Sequence, residues 1–184
     1  MNEISLPEKI QRISSALTKL PHAFGGALAL AYYAEPRATQ DIDLNVFLQV
    51  EHAEAVLLVL AEIGADLDSV AVRNGAQQAL DDGQLRVFWG RTPVDLFFAY
   101  DPFHEAADQA KRVVPFADGQ IQVLAPEHLI VCKVAFNRPK DWVDIDAIRT
   151  AGTRVEIAEV LRWVGRILGD DDPRFNRVAA VFAA

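Results

Sequence analysis

The sequence predicts a mixed α/β domain that passes into an all-helical C-terminal region, and three observations carry this. Short segments between residues 22 and 98 alternate apolar and polar side chains with a period of two, the mark of half-buried strands. Helical segments are interleaved with them, beginning with Ile10, Ile13, Leu17 and Leu20. From Pro126 onward only the helical spacing persists. The expected division is residues 1–124 for the α/β core, with a mixed sheet of about four to six strands, and residues 125–184 for the helical region packed on it.

The elements follow in order. Leu6 to Leu20 is a helix, with Pro7 suited to its first turn. His22 to Phe24 is a short strand that ends at Gly25-Gly26, and Ala27 to Tyr33 is a short helix that Pro36 closes. Asp41 to Leu48 is a strand with Ile42, Leu44, Val46 and Leu48 on one face, which puts Asp41, Asp43 and Asn45 on the other. Ala53 to Ile63 is a helix, and Asp66 to Asp82 is expected to hold a strand and a turn. Gln84 to Trp89 and Pro93 to Phe98 are strands joined by Gly90-Arg91-Thr92. Phe103 to Lys111 is a helix and Ile121 to Leu124 a last short strand. Helices then run from Pro126 to Phe136, Pro139 to Thr150 and Arg154 to Leu168, with a final one from Pro173.

Composition narrows the function classes. Hydrophobic residues make up 51% of the 184, enough for a core without staples. The single cysteine, Cys132, excludes an intramolecular disulfide, fits a cytoplasmic setting and is expected in the core. Met1-Asn2-Glu3-Ile4-Ser5 has an early acid and no basic cluster, so no signal peptide is expected, and no apolar run is long enough for a membrane. The net charge of −8 argues against a broad phosphate-tracking surface, while leaving room for an RNA in a local basic groove or for a basic protein partner. His22, His52, His104 and His128 have no metal-ligand spacing and are given no catalytic task.

The chemistry concentrates where Gly25-Gly26 and a short helix precede Asp41-x-Asp43 on a strand. A glycine turn brings backbone N–H groups close to an anionic phosphate. Two carboxylates two apart on a strand repel each other unless a divalent cation, magnesium or manganese, neutralises them. Together these are the parts of phosphoryl transfer from a nucleoside triphosphate. The plain alternative is a strand whose solvent face is acidic, and the glycine pair at the right distance, with Arg37 and Thr39 between, weighs against it.

Phe24-Gly25-Gly26-Ala27-Leu28-Ala29-Leu30 followed by Arg37-Ala38-Thr39-Gln40-Asp41-Ile42-Asp43-Leu44 resembles the glycine turn and paired aspartates of the DNA polymerase β-like nucleotidyltransferase superfamily. Downstream, Leu124-Ala125-Pro126-Glu127-His128-Leu129-Ile130-Val131-Cys132-Lys133 and Arg138-Pro139-Lys140-Asp141-Trp142-Val143-Asp144-Ile145 are similar to AbiEii-type toxins and related bacterial nucleotidyltransferase-like proteins. The resemblance implies a nucleotidyltransferase-like mixed sheet flanked by helices, with a C-terminal helical bundle. It also implies a third acidic residue on a later strand; Asp95 matches, with Asp81 and Asp82 as rivals. By the same resemblance Asp41, Asp43 and Asp95 hold the metal, Lys133 contacts the triphosphate together with Gly25, Gly26, Arg37, Thr39 and Lys140, and Asp141 is a supporting catalytic acid.

Each of these has a plainer alternative. Lys133 could be a lysine whose charge reaches out from the edge of the core. Asp141 could cap its helix, and Asp144 could brace Lys133 or Lys140. The chain departs from the superfamily pattern in having Gly26 where many members have a serine. The activity implied is metal-dependent transfer of a nucleoside monophosphate from a triphosphate to RNA, such as a tRNA end, or to a protein, in a toxin–antitoxin or phage-defence pair with an antitoxin partner. Two other readings remain open at this level: a non-catalytic binding module, and a modifier of small cationic molecules resembling aminoglycoside nucleotidyltransferases.

Overall fold

The computed structural model describes residues 4–183. Met1–Glu3, on which part of the expectation about a signal peptide rests, lie outside the described residues. The chain forms two compact units: the chain through Gly25 together with Thr39–Val123, and Gly26–Ala38 together with Leu124–Ala184. The segment 26–38 thus groups with the C-terminal helices.

The first unit holds, among the described residues, a six-stranded mixed sheet in the order β3-β4-β2-β1-β6-β5. Its strands are β1 (His22–Phe24), β2 (Ile42–Gln49), β3 (Gln84–Trp89), β4 (Thr92–Ala99), β5 (Arg112–Phe116) and β6 (Gly119–Val123). β1 runs antiparallel to β2 and parallel to β6, β2 is parallel to β4, and β3–β4 and β5–β6 are antiparallel hairpins. Alternation works as expected. Ile42, Leu44, Val46, Leu85, Val87, Trp89, Val94, Leu96 and Phe98 are all buried, so one face of the central strands is core and the other carries the polar residues.

The unit's helices are α1 (Leu6–Ala16), α3 (Ala53–Glu62), α4 (Ser69–Asp82) and α5 (Pro102–Ala110). α1 starts from the Ser5 cap with Pro7 in its first turn. Its Lys9 is buried and donates from Nζ to the Trp89 carbonyl at 2.8 Å and the Thr92 hydroxyl at 3.0 Å, satisfying the β3–β4 turn.

Three expectations about the elements of this unit are corrected. Residues 69–82 form the helix α4, where a strand and turn were expected. Asp68 caps it by accepting from Val70 and Ala71, and Gly83 ends it in the left-handed region, φ 67°. β5 was not expected; it is an edge strand interrupted by Pro115, a residue that edge strands tolerate. The β3–β4 connection is two residues, Gly90-Arg91, because Thr92 already pairs with Trp89. Gly90 takes a φ of 60°, as the first position of a type II′ hairpin turn requires.

The second unit comprises α2 (Gly26–Leu30), α6 (Pro126–Phe136), α7 (Pro139–Thr150), α8 (Ile157–Leu168) and α9 (Pro173–Ala183). α6 is its centre, buried on several sides through Leu129, Ile130, Val131, Lys133 and Val134, and it contacts α2, α7 and α8. The Tyr33 hydroxyl donates to the Leu124 carbonyl at 2.8 Å, and Thr153 donates to the Tyr33 carbonyl at 2.6 Å, which ties segment 26–38 to the later helices. Cys132 is only partly buried, contrary to expectation, because it shares a stripe of α6 with Ala135 and Phe136, both exposed. Among the described residues no helix is long and apolar enough to cross a membrane.

Candidate active site

In the first unit the register of the sheet assembles one row of chemistry. The Gly25 N–H donates to the Asp43 carbonyl at 2.9 Å, Asp43 lies opposite Asp95 across the parallel β2–β4 pair, and Asp95 lies opposite Arg86 across the β3–β4 hairpin. Directly opposed residues of neighbouring strands share a face with Cβ atoms about 4.5–5.5 Å apart. The glycine turn, two carboxylates and a guanidinium therefore stand side by side on the polar face. Asp41, immediately before β2, is two residues from Asp43 and partly exposed. Thr39 shapes that approach: its hydroxyl accepts from the Asp41 N–H and donates to the Asp41 carbonyl, both at 3.3 Å. Asp81 and Asp82, the rivals for the third acid, lie in the last turn of α4.

Arg86 was not anticipated. Its Nε donates to Asp95 Oδ1 at 2.6 Å and its Nη2 to Oδ2 at 2.7 Å, a two-pronged ion pair. Hydrogen bonding to Asp95, then the charge of Asp95 and the more distant charges of Asp41 and Asp43, raise the guanidinium pKa above its already high value. The same arginine thus feels all three acids.

The donor set fits a hard divalent cation. Carboxylate oxygens are what magnesium and manganese prefer, and like charges in one row call for a counter-ion. The three acids are not gathered into a closed cage; among the described residues no group of three or more His, Cys, Asp and Glu is placed to hold a metal. Arg86 occupies both oxygens of Asp95.

The second unit carries the remaining expected residues. Gly26 opens α2 with a φ of 53°. A side chain in that conformation costs about 1–2 kcal/mol, which accounts for a glycine at this position. Lys133 is buried, and its Nζ donates to Asp144 Oδ2 at 2.6 Å. Arg37 donates to the same carboxylate twice, Nε to Oδ1 and Nη2 to Oδ2, each at 3.0 Å. Asp144 therefore braces Lys133 and not Lys140, which is exposed in the first turn of α7.

Asp141 is fully buried and caps α7. It accepts from the Arg138 backbone N–H at 3.0 Å, and from the Arg138 Nε at 2.8 Å and Nη2 at 3.1 Å. That is the capping task set beside the catalytic one. His22, His104 and His128 are buried, and burial lowers the pKa of each.

Burial alone would raise the Asp144 pKa, but hydrogen bonds from Arg37 and Lys133, with their charges, bring it below the ordinary 3.8. A carboxyl lowered on folding contributes stability that is fully present above its unfolded value and is lost as pH falls through the folded one. Unfolding measured from about pH 5 to about pH 2 is expected to show this loss below 3.8, and Asp144→Asn to flatten that part of the curve. A curve unchanged by the substitution would remove Asp144 from the acid response.

Comparison with known proteins gives the family. The family of the nucleotidyl transferase AbiEii toxin, of the type IV toxin–antitoxin system, matches residues 10–179. A search of the curated proteins finds no match. The structure is similar to the solution structure of the antibiotic-resistance factor ANT(2″)-Ia, with a TM-score of 0.59 at 18% identity over 98% of this chain and 96% of that one. A crystal structure of ANT(2″)-Ia in complex with adenylyl-2″-tobramycin gives 0.51 at 16%, over 95% and 92%. An antigenic nucleotidyltransferase-like protein from Paracoccidioides brasiliensis gives 0.53 at 13%, over 98% and 94%. At these identities the structural likeness speaks for the fold, and the match to nearly the whole chain speaks for the family: the chain belongs to the AbiEii nucleotidyl transferase toxin family and is a nucleotidyltransferase.

Proposed function

We propose that the protein moves a nucleoside monophosphate from a nucleoside triphosphate to a hydroxyl of an RNA, with Asp41 and Asp43 holding a divalent cation, magnesium or manganese. The observation that carries this reading is the row Gly25–Asp43–Asp95–Arg86, with Asp41 at its edge. A bound cation would draw phosphate oxygens to the row and offset charge on the attacking and leaving oxygens.

The protein's own groups then have distinct tasks. Asp95 takes the proton of the acceptor hydroxyl as its oxygen bonds to the α-phosphorus. The bond from that phosphorus to the bridging oxygen breaks, and pyrophosphate leaves. The Gly25 N–H is held by the Asp43 carbonyl, which leaves the Gly26 N–H as the donor the turn offers, and Thr39 keeps Asp41 in place. In the second unit Arg37 and Lys133 both pair with the carboxylate of Asp144, and Lys140 is exposed in the first turn of α7. These are the basic residues that the resemblance assigns to triphosphate oxygens. Asp141 supports them by fixing the start of α7.

The family description, a toxin of a type IV toxin–antitoxin system, supports an antitoxin partner, and the single cysteine fits a cytoplasmic setting. A second reading places the transfer on a small cationic acceptor. It draws on the likeness to a structure holding adenylyl-2″-tobramycin and on the net charge of −8. Incubation with α-labelled triphosphates, magnesium and total RNA is expected to label RNA. Label on added tobramycin and none on RNA would favour the second reading. No label on RNA, protein or tobramycin would reduce the fold to a binding module.

A further inference from the structure

Arg86 pairs with an acid that the proposed chemistry needs free. Both oxygens of Asp95 accept from its guanidinium, at 2.6 and 2.7 Å, and the charges of Asp41 and Asp43 also act on it. A dication seated between Asp43 and Asp95 would stand against this fixed positive charge, and like charges at such range repel. The pair is also easy to break. The Arg86 side chain is 54% exposed, and an ion pair with one partner in solvent holds its geometry weakly.

The position is specific. β3 carries Gln84, Arg86 and Phe88 on the polar face, and of these only Arg86 lies opposite Asp95. The arginine thus stands on Asp95, holding both of its oxygens.

We propose that Arg86 is an exchangeable counter-ion: it neutralises Asp95 in the metal-free protein and is displaced from it when the divalent cation binds. The inference rests on the proposed metal role of Asp41 and Asp43, with Asp95 as a further carboxylate on the same cation. It makes Arg86 a positioning residue that sets metal affinity through Asp95 and never touches the substrate. It also means that metal-free protein keeps its acidic row partly neutralised, and that metal and arginine compete for one carboxylate.

The test is titration of the full chain with Mn²⁺ alone, followed by electron paramagnetic resonance of the free ion, so that activity is not the readout. Arg86→Met removes the charge and keeps the stem, and it is expected to tighten Mn²⁺ binding about tenfold. Arg86→Lys keeps a charge without the two-pronged geometry and is expected to fall between the two. Asp43→Asn identifies the site by abolishing binding.

Equal or weaker Mn²⁺ binding by Arg86→Met would overturn the exchange. The metal reading would still stand if the native protein binds Mn²⁺ and Asp43→Asn does not. Absence of Mn²⁺ binding in every variant would overturn both. If Arg86→Met does not fold, Arg86→Lys decides alone: tightening supports the exchange and no tightening overturns it.

Discussion

Replacing Asp144 with asparagine is expected to lower stability by about 3–5 kcal/mol, the scale for removing one partner of a buried ion pair. Lys133 and Asp144 have side chains only 5% and 4% exposed, and their contact is 2.6 Å. Without the carboxylate, the Lys133 ammonium is left in the centre of the second unit facing a neutral amide, and Lys133 and Arg37 must share its one acceptor oxygen in place of two charged ones. In a chain of this size each kcal/mol moves the melting temperature by about 2–4 °C.

The reverse deletion should be mild. Lys133→Met leaves Asp144 held by both prongs of Arg37 and replaces a buried charge with an apolar stem. Adding Lys133→Met to Asp144→Asn is therefore expected to recover much of the loss. A thermal melt of Asp144→Asn within a degree or two of the native protein would show that the carboxylate is not what holds Lys133 inside.

Asp43→Asn is expected to reduce nucleotidyl transfer by about 10²–10³-fold or more, comparable to losing one preorganised electrostatic group from an active site. Asp43 is the only acid of the row with both the glycine turn and Asp95 as direct strand neighbours. The amide keeps the shape and one oxygen but not the charge that a cation needs. Folding should not suffer, because removing a charge beside Asp41 and Asp95 relieves repulsion. Stability is therefore expected to be unchanged or higher. Loss of activity together with a lower melting temperature would point to a structural role.

The acidic strand was legible because period-two alternation from Ile42 to Leu48 fixes which face Asp41 and Asp43 occupy. Arg86 was missed for a reason of one residue. Taking Gly90-Arg91-Thr92 as the turn slips the hairpin register by one, which removes Arg86 from its place opposite Asp95. With the two-residue turn the pairing follows directly. α4 was hidden by its composition: Val70 and Leu80 are exposed while Val72 and Ala79 are buried, so no continuous apolar stripe stands out. The Asp68 cap and Gly83 were the available signals.

Asp141 was ambiguous because the residue it caps with is Arg138, outside the usual capping set. The fate of Lys133 depended on Arg37 coming to the same carboxylate from more than a hundred residues away, which local spacing does not reveal.

The most direct test of the central claim, that the acidic row of β2 holds a divalent cation with a triphosphate, is a calorimetric titration of the native protein and Asp43→Asn with triphosphate in the presence of magnesium. The native protein is expected to bind, and to lose most of that binding when magnesium is withheld. Asp43→Asn is expected to show little binding in either condition. Equal binding by both proteins, with or without magnesium, would contradict the assignment of the row as a metal and nucleotide site.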